Sequence, residues 1–576
     1  MWLIPLLVLG LSVALSIPLG RYMAWILDPK PGTPLARNSV ERLLATGPQH
    51  WKSYCVSMLL FNAIVFAIGF AVLAFQHHLP LNPDDKKELA PTTVFNTACS
   101  FLTNTNLQHY SGEVHLSYFS QIFFVLWKQF LTPAIGLCAL LAVIRGLRGD
   151  DTLGCFALDL FRGVVYLFLP LSLVVGLLLI LTGIPMTFEG AVTAKTVEGA
   201  DQVIARGPVA AIVAIKQLGS NGGGFFGVNS CHPFENPNAG SNLIECICIL
   251  IVPMACVVLF GRMLKAERQA AILFVVCLVM VIAMTITAVA LESTPNPGLN
   301  GLPVDQSTGN LEGKELRFGA GAAGTWVVAT TCTSNGSVNC MHDSLNPLTG
   351  TLPLAGMWLN CLFGGVGVGF INMFVYVIVG VFLAGLMVGR TPEYLGKKVE
   401  AREMKLAMLA LLIHPLLVLA PTGLFCQTGW ADAAKNNPGP HGFSETLYEF
   451  SSASANNGSG FEGLADTVGT TEEHDDDLKD EKKRDDRLAA RSVASYWDIS
   501  TGLVMLIGRF VPIIAPIALA AGLARKKPTP FTAGTLRTDT ITFGVVVLGS
   551  ILLVGALLFL PAAALGPIAE HLSLVR

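Results

Sequence analysis

Ser220-Asn221-Gly222-Gly223 has three counterparts in this chain: Thr103-Asn104-Thr105-Asn106, Ser334-Asn335-Gly336-Ser337 and Asn456-Asn457-Gly458-Ser459. Aligned on Asn104, Asn221, Asn335 and Asn457, the four tags lie 117, 114 and 122 residues apart. Each follows a semi-apolar stretch too brief to span a bilayer, over about 90–102, 203–219, 321–333 and 442–455. Each also lies between two apolar runs long enough to span one. A long internal period marks a chain assembled from copies of one unit. Four units of span, short helix, tag and span predict a single-chain pseudo-tetramer around one axis.

The composition agrees. Of 576 residues, 52% are hydrophobic and 13% charged, and the mean hydropathy is +0.59. Soluble domains carry about 25% charged residues. The chain is therefore read as an all-α polytopic membrane protein. Apolar runs near 3–27, 55–76, 119–145, 163–184, 243–263, 269–291, 354–389, 404–426, 497–524 and 540–565 give ten transmembrane helices: one leading, eight in the four units, one trailing. The implied division is 1–54, leading helix and loop; 55–150, 151–265, 266–403 and 404–527, the four pore units; and 528–576, trailing helix. The first run lacks the basic start of a signal peptide and is read as a span. Thirteen Cys, mostly within apolar runs, show no paired metal spacing and read as buried thiols.

Lys and Arg orient the bundle. They gather at 28–54 (Lys30, Arg37, Arg42, Lys52), 145–162 (Arg145, Arg148, Arg162), 261–268 (Arg262, Lys265, Arg268), 390–405 (Arg390, Lys397, Lys398, Arg402, Lys405) and 525–537 (Arg525, Lys526, Lys527, Arg537). All five segments fall on one side of a ten-span bundle, which the positive-inside rule makes cytoplasmic. The tags then enter from outside, and both termini lie outside.

The tag residues suit one task. A dehydrated monovalent cation needs a shell of oxygens that binds weakly enough to let go, and rings of backbone carbonyls supply it. Turning successive carbonyls inward demands left-handed backbone, which Gly tolerates best and Asn next. No Asp or Glu lies in any tag, and each short helix would aim its partly negative C-terminus at the axis. One such tag alone is an ordinary turn signal; the fourfold recurrence is what predicts a potassium filter. Other chemistry is poorly represented. Gly222-Gly223-Gly224 lacks the rest of a phosphate loop, no Asp-Lys-Thr-Gly motif occurs, and His232, His342 and His414 are isolated. A membrane enzyme would need a cluster of His, Asp or Glu at membrane depth, and none is expected in the spans.

Longer stretches carry a resemblance. Thr103-Asn104-Thr105-Asn106-Leu107-Gln108, Ser220 to Phe226, Phe363-Gly364-Gly365-Val366-Gly367, Gly385 to Lys398 (GLMVGRTPEYLGKK) and Asn437 to Glu445 (NPGPHGFSE) closely resemble the A subunit of the bacterial Kdp potassium-transporting ATPase, over essentially the whole chain except 465–495. The resemblance implies the superfamily of potassium transporters and the potassium-binding, translocating subunit of an ATP-driven, high-affinity uptake pump in the bacterial inner membrane. It implies partners: a P-type ATPase subunit (KdpB) that carries ATP and Mg2+, a small C subunit (KdpC), a single-span F subunit (KdpF) and membrane lipids, with no nucleic acid. K+ is the expected transported ion and metal. By position, the filter would comprise Thr103, Asn104, Thr105, Asn106, Ser220, Asn221, Gly222, Gly223, Gly224, Ser334, Asn335, Gly336, Asn456, Asn457 and Gly458. Gln108 would sit beside it and affect selectivity. Gly364, Gly365 and Gly367, in a Gly-rich run, would break a helix under the filter or allow close helix packing. Arg390 would act in gating or coupling, or anchor a helix end. A self-sufficient channel or ion-coupled potassium transporter of the same superfamily is the alternative.

Three departures stand out. The acidic segment 465–495 interrupts the fourth unit, and a run such as Glu472-Glu473-His474-Asp475-Asp476-Asp477 is expected to be solvated and mobile, with cation collection or docking as its functional reading. Asn360-Cys361-Leu362 precede Phe363 where the family pattern carries a carboxylate. Lys128 falls inside a span, where an unpaired ammonium is costly; it would snorkel outward or add positive charge near the pore.

Overall fold

The computed structural model describes residues 2–29, 39–387, 389, 391–465, 481–527 and 536–575. Among the described residues, ten helices are long and apolar enough to cross a membrane: Leu3–Leu27, Trp51–Ala74, Tyr118–Arg148, Phe156–Leu181, Ala239–Leu264, Glu267–Leu299, Val368–Met387, Ala401–Thr428, Leu488–Ala524 and Ile541–Leu574. At 1.5 Å per residue each reaches about 30 Å, the thickness of a hydrocarbon core. The chain is a multi-pass membrane protein.

The spans divide by burial. The four that follow a tag (Tyr118–Arg148, Ala239–Leu264, Val368–Met387, Leu488–Ala524) are 61–89% buried over their most apolar stretch; the four that precede one are 28–44% buried. The first group therefore forms the inner wall, and the second faces outward with apolar side chains such as Leu60, Leu177, Val279 and Leu416. The leading helix packs on Ala239–Leu264, where a Cβ on Gly20 would stand 2.7 Å from the Ala255 carbonyl oxygen. Small residues permit such close approach in the absence of a hydrophobic drive between helices.

Four short helices end at the tags: Pro91–Leu102, Val209–Leu218, Gly319–Cys332 and Gly439–Ala455. Pro at the first turn suits the first, where the amide has no helical partner. The second begins later than 203, because Asp201–Ile204 pairs antiparallel with Val192–Lys195. A second small hairpin joins Glu393–Tyr394 to Lys397–Lys398 through Leu395-Gly396, both at positive φ. The all-α reading holds for the bundle and misses these hairpins, whose strands are too short to show a period.

The apolar run 354–389 is not one helix. It splits into Pro347–Leu359, an irregular turn over 360–367, and Val368–Met387. Asn360, Phe363, Gly364 and Gly367 all take positive φ there, so the run breaks as its glycines suggested. The acidic segment 465–495 overlaps a helix. Residues 481–495 belong to the helix Glu481–Ala524, whereas 466–480, with the acidic run, lie outside the described residues.

The Lys- and Arg-rich loops meet on one side. Arg148 pairs with Asp28 at 2.6 Å, Lys526 with Glu403 at 2.6 Å, and the Lys397 ammonium donates to the Leu147 carbonyl at 3.2 Å. On the other side, His441 at the start of the last short helix sits between Asp343 (2.9 Å) and Glu570 (2.8 Å) of the trailing helix. Burial alone would lower its pKa, but these carboxylates outweigh that and lift it to about 10. A raised pKa stabilises the fold fully below the unfolded value of about 6.5 and is lost as pH rises through the folded one. We therefore expect a thermal midpoint that falls progressively between about pH 6.5 and pH 10 and levels off above it, a component that His441→Gln removes; thermal unfolding across pH 6–11 reads it.

Candidate functional site

The four tags close into a ring. A Cβ on Gly222 would meet the Asn335 carbonyl oxygen at 1.9 Å, one on Gly336 the Asn457 oxygen at 2.0 Å, and one on Gly458 the Thr105 oxygen at 2.1 Å. The first and second tags join through the Asn104 amide, which donates to the Ser220 carbonyl at 2.7 Å. The central asparagines stitch neighbours together. Asn335 Nδ2 donates to the Lys216 carbonyl at 3.1 Å and Asn457 Nδ2 to the Thr330 carbonyl at 3.0 Å. Asn456 Nδ2 reaches Thr105 Oγ1 at 3.0 Å.

The ring corrects the alignment of the first tag. In every tag one amide folds back on the carbonyl five residues earlier: Thr105 to Ser100 (3.0 Å), Asn221 to Lys216 (2.9 Å), Asn335 to Thr330 (2.8 Å) and Asn457 to Ser452 (2.9 Å). Positive φ flanks that residue each time, at Asn104 and Asn106, Ser220 and Gly222, Ser334 and Gly336, Asn456 and Gly458. Thr105, not Asn104, is therefore the counterpart of Asn221. Asn106 fills the glycine position, which Asn tolerates at φ +53°. Thr103 precedes the ring, at the C-terminus of its helix.

Gln108, Gly223 and Gly224 follow their tags on one face of the ring. Gln108 and Gly224 exchange two hydrogen bonds (3.1 and 2.9 Å), so this side chain pairs with the second tag's loop as a strand would. The Gly223 carbonyl accepts from Gln129 at 2.6 Å. A cavity of about 550 Å³ lies on this side, lined by Gln108, His109, Gly336, Glu449, Gly458 and Glu462 among others.

A narrower cavity of about 40 Å³ lies on the opposite face of the ring, touching Asn104, Ser334 and Asn456. The broken span forms part of its wall. Ser334 Oγ donates to Asn360 Oδ1 (2.8 Å), Asn360 Nδ2 to the Ala455 carbonyl (3.2 Å), and the Gly364 amide to the Cys332 carbonyl (3.0 Å). Gly365 faces Ser334, and Gly367 presses on Gly136 of the inner span Tyr118–Arg148. Asn360, a neutral amide, stands where the sequence resemblance leads one to expect a carboxylate. His414 and Arg509 also line this cavity, and Arg509 Nη2 donates to the Thr132 carbonyl at 3.3 Å. Arg390 lies outside the described residues.

Lys128 neither snorkels outward nor reaches this axis. It is fully buried behind the first short helix, its Nζ 4.4 Å from the Phe124 ring centre and close against Gly69. Aromatic quadrupole attraction is its visible compensation. Each isolated histidine has a structural partner: His342 Nδ1 meets Tyr448 Oη at 2.7 Å, His414 meets Ser454 Oγ at 2.8 Å, and His232 stacks on Phe226.

Single buried carboxylates do occur within the spans, each with a polar partner. Asp159 takes both Arg145 guanidinium nitrogens (2.5 and 2.9 Å), Asp498 binds His109 (2.8 Å), and Glu245 binds Gln217 (2.8 Å) and Ser230 (2.7 Å). Each lies near a span end or opposite a polar partner from another element. Single residues in a long apolar run, with partners distant in sequence, gave no local pattern. Lys216 inside the short apolar helix was the visible cue to this polar lining.

Residues 6–572 match the family described as "Potassium-transporting ATPase A subunit". The potassium-transporting ATPase potassium-binding subunit of Geobacillus kaustophilus (strain HTA426) is 43% identical over 578 residues, 99% of this chain and 98% of that one. The subunit of the same name from Parabacteroides distasonis is 43% identical over 587 residues, 98% of each. Among solved structures, the potassium transporter TrkH from Vibrio parahaemolyticus aligns at TM-score 0.49 and 13% identity, over 89% of this chain and 98% of that one. With ten spans around a ring of four tags and a family match over nearly its full length, the chain belongs to the A subunits of potassium-transporting ATPases.

Proposed function

We propose that this chain binds K+ on the outer side of the bacterial inner membrane and hands it toward a separate P-type ATPase subunit. The observation that carries the reading is the ring: Thr105, Asn221, Asn335 and Asn457 hold equivalent positions in four tags that lean on one another, with a cavity on each face. Their carbonyls would ligate the ion, with Thr103, Asn104 and Asn106, Ser220, Gly222 to Gly224, Ser334, Gly336, Asn456 and Gly458 shaping the ring. A carbonyl ring without fixed charge suits a large monovalent cation that must leave again. The relatives named above as potassium-binding subunits support the choice of ion.

Inward of the ring, the turn at 360–367 and Arg509 stand across a straight path, with Gly364 and Gly367 packing too closely for side chains and Gly365 facing Ser334. Ions would leave by the cavity between them, and Arg390 would act at the inner end of that broken span. ATP and Mg2+ belong to the KdpB partner, with KdpC and KdpF completing the complex. The Lys- and Arg-rich loops face the cytoplasm, and both termini the outside.

Co-purification with the neighbouring subunits, followed by K+-stimulated ATP hydrolysis, tests the reading. Stimulation by K+ and not by Na+ is expected of the complex, and no ATP-independent accumulation by this chain alone in liposomes. Uphill uptake by the chain alone would make it the self-sufficient transporter instead.

A further inference from the structure

We infer that Lys216, with Glu235 and Asn229, is a positioning residue for ion selection whose side chain braces the second tag alone; this rests on the tags being the ion site. The residue five before each ring position is Ser100, Lys216, Thr330 or Ser452, and its carbonyl anchors the ring amide in every tag. In three tags its side chain is a hydroxyl that stays local. Ser100 Oγ donates to the Leu107 carbonyl (2.8 Å), Thr330 Oγ1 to Asn335 Oδ1 (3.4 Å), and Ser452 Oγ accepts from the Gly458 amide (2.9 Å).

The second tag replaces the hydroxyl with a fully buried ammonium. Lys216 Nζ donates to Asn229 Oδ1 (2.7 Å), to Ser230 Oγ (2.8 Å) and to the buried Glu235 carboxylate. Two of those contacts, Asn229 and Glu235, lead back to the tag and the loop after it. Asn229 Nδ2 donates to the Gly222 carbonyl at 2.8 Å, and Glu235 Oε1 accepts from the Phe226 amide at 2.8 Å. A Cβ on Gly224 would lie 2.4 Å from that same Glu235 oxygen, so the carboxylate also backs the loop. The Lys216 carbonyl accepts from Gly222 N (3.2 Å) and from the Asn335 amide of the third tag. One residue thus ties two tags by its main chain and the loop after the tag by its side chain.

A buried ion pair is a poor source of stability, since desolvation offsets the attraction, and a hydroxyl suffices in the other three tags. Its effect is on geometry. The ammonium fixes the sense of the Asn229 amide, so that its NH2 faces Gly222 and holds that carbonyl out of the ring's freedom. Without the charge pair the Gly222 peptide can rotate, and the ring loosens on one quarter. A looser ring costs discrimination between K+ and the slightly larger Rb+ more than it costs turnover.

The test uses the assembled complex and compares Lys216→Met/Glu235→Gln, which removes both charges together, and Asn229→Asp, which keeps the ammonium contact but cannot donate to Gly222. Half-maximal K+ for ATP hydrolysis should rise about tenfold, the Rb+/K+ ratio should rise at least about threefold, and the maximal rate should stay within about twofold. Wild-type K+ dependence and Rb+/K+ ratio in Asn229→Asp overturn the inference, even if the double variant fails to assemble. So does a fallen maximal rate with an unchanged ratio, the mark of a merely structural role. Gly222→Asp in the same preparation is the reference: if it too behaves as wild type, the tag reading itself fails; if it alone is impaired, only the brace does.

Discussion

Gly222→Asp is expected to abolish uptake at micromolar potassium while the subunit still assembles with its partners. Gly222 sits at φ +86°, and a Cβ there would lie 1.9 Å from the Asn335 carbonyl oxygen and 2.8 Å from the Ser337 amide nitrogen. Neither is a flexible side chain that can step aside. The peptide after Asn335 has to turn, and that peptide carries one of the four ring oxygens. Left-handed strain at a non-glycine residue costs about 1–3 kcal/mol. If that cost falls on the bound state, affinity drops by roughly 100-fold. A carboxylate beside the ring adds a fixed charge that favours smaller or divalent cations. Gly222→Ala isolates the steric part and should lose less selectivity. K+ titration of ATP hydrolysis with Na+ and Rb+ controls reads both, and wild-type titration of Gly222→Asp would remove the second tag from the ion site.

The second large effect concerns folding. Gly367→Ala should prevent accumulation of the assembled complex or lower its thermal midpoint steeply. Gly367 has φ +77°, and its Cβ would stand 2.2 Å from the Gly136 carbonyl oxygen; a Cβ on Gly136 would stand 2.3 Å from the Val366 oxygen. Two backbones are pressed together with no side chain between them. Overpacking costs about 1–3 kcal/mol and left-handed strain a similar amount, so about 3 kcal/mol or more is expected. Yield of complex in detergent and its thermal midpoint measure it. Gly365→Ala, whose Cβ would find the Ser334 side chain at a comfortable 3.5 Å, should be far milder.

The bundle was legible because a bilayer imposes its own length on apolar runs, and because Lys and Arg mark one side. The tags were legible because left-handed backbone selects Gly and Asn. The same selection hid the register of the first tag: Asn104 and Asn106 are both tolerant of positive φ, so the sequence alone does not say which of them matches a glycine. The break at 360–367 was foreshadowed by its glycines, but its start at Asn360 was not, since Trp358-Leu359 read as ordinary span. Glu235, Asn229, Arg509 and Asp498 escaped notice for another reason. Each is a single polar residue whose partner lies on a different element, and pairing of that kind has no period to read.

The tag contacts run in one sense around the axis: glycine of the second on the third, third on fourth, fourth on first, with Asn104 closing the circuit onto Ser220. Such an arrangement behaves as a closed hoop rather than as four posts. A displacement in any quarter is passed to its neighbour, so the aperture is a property of the circumference, and changes in adjoining tags will compound or cancel instead of adding.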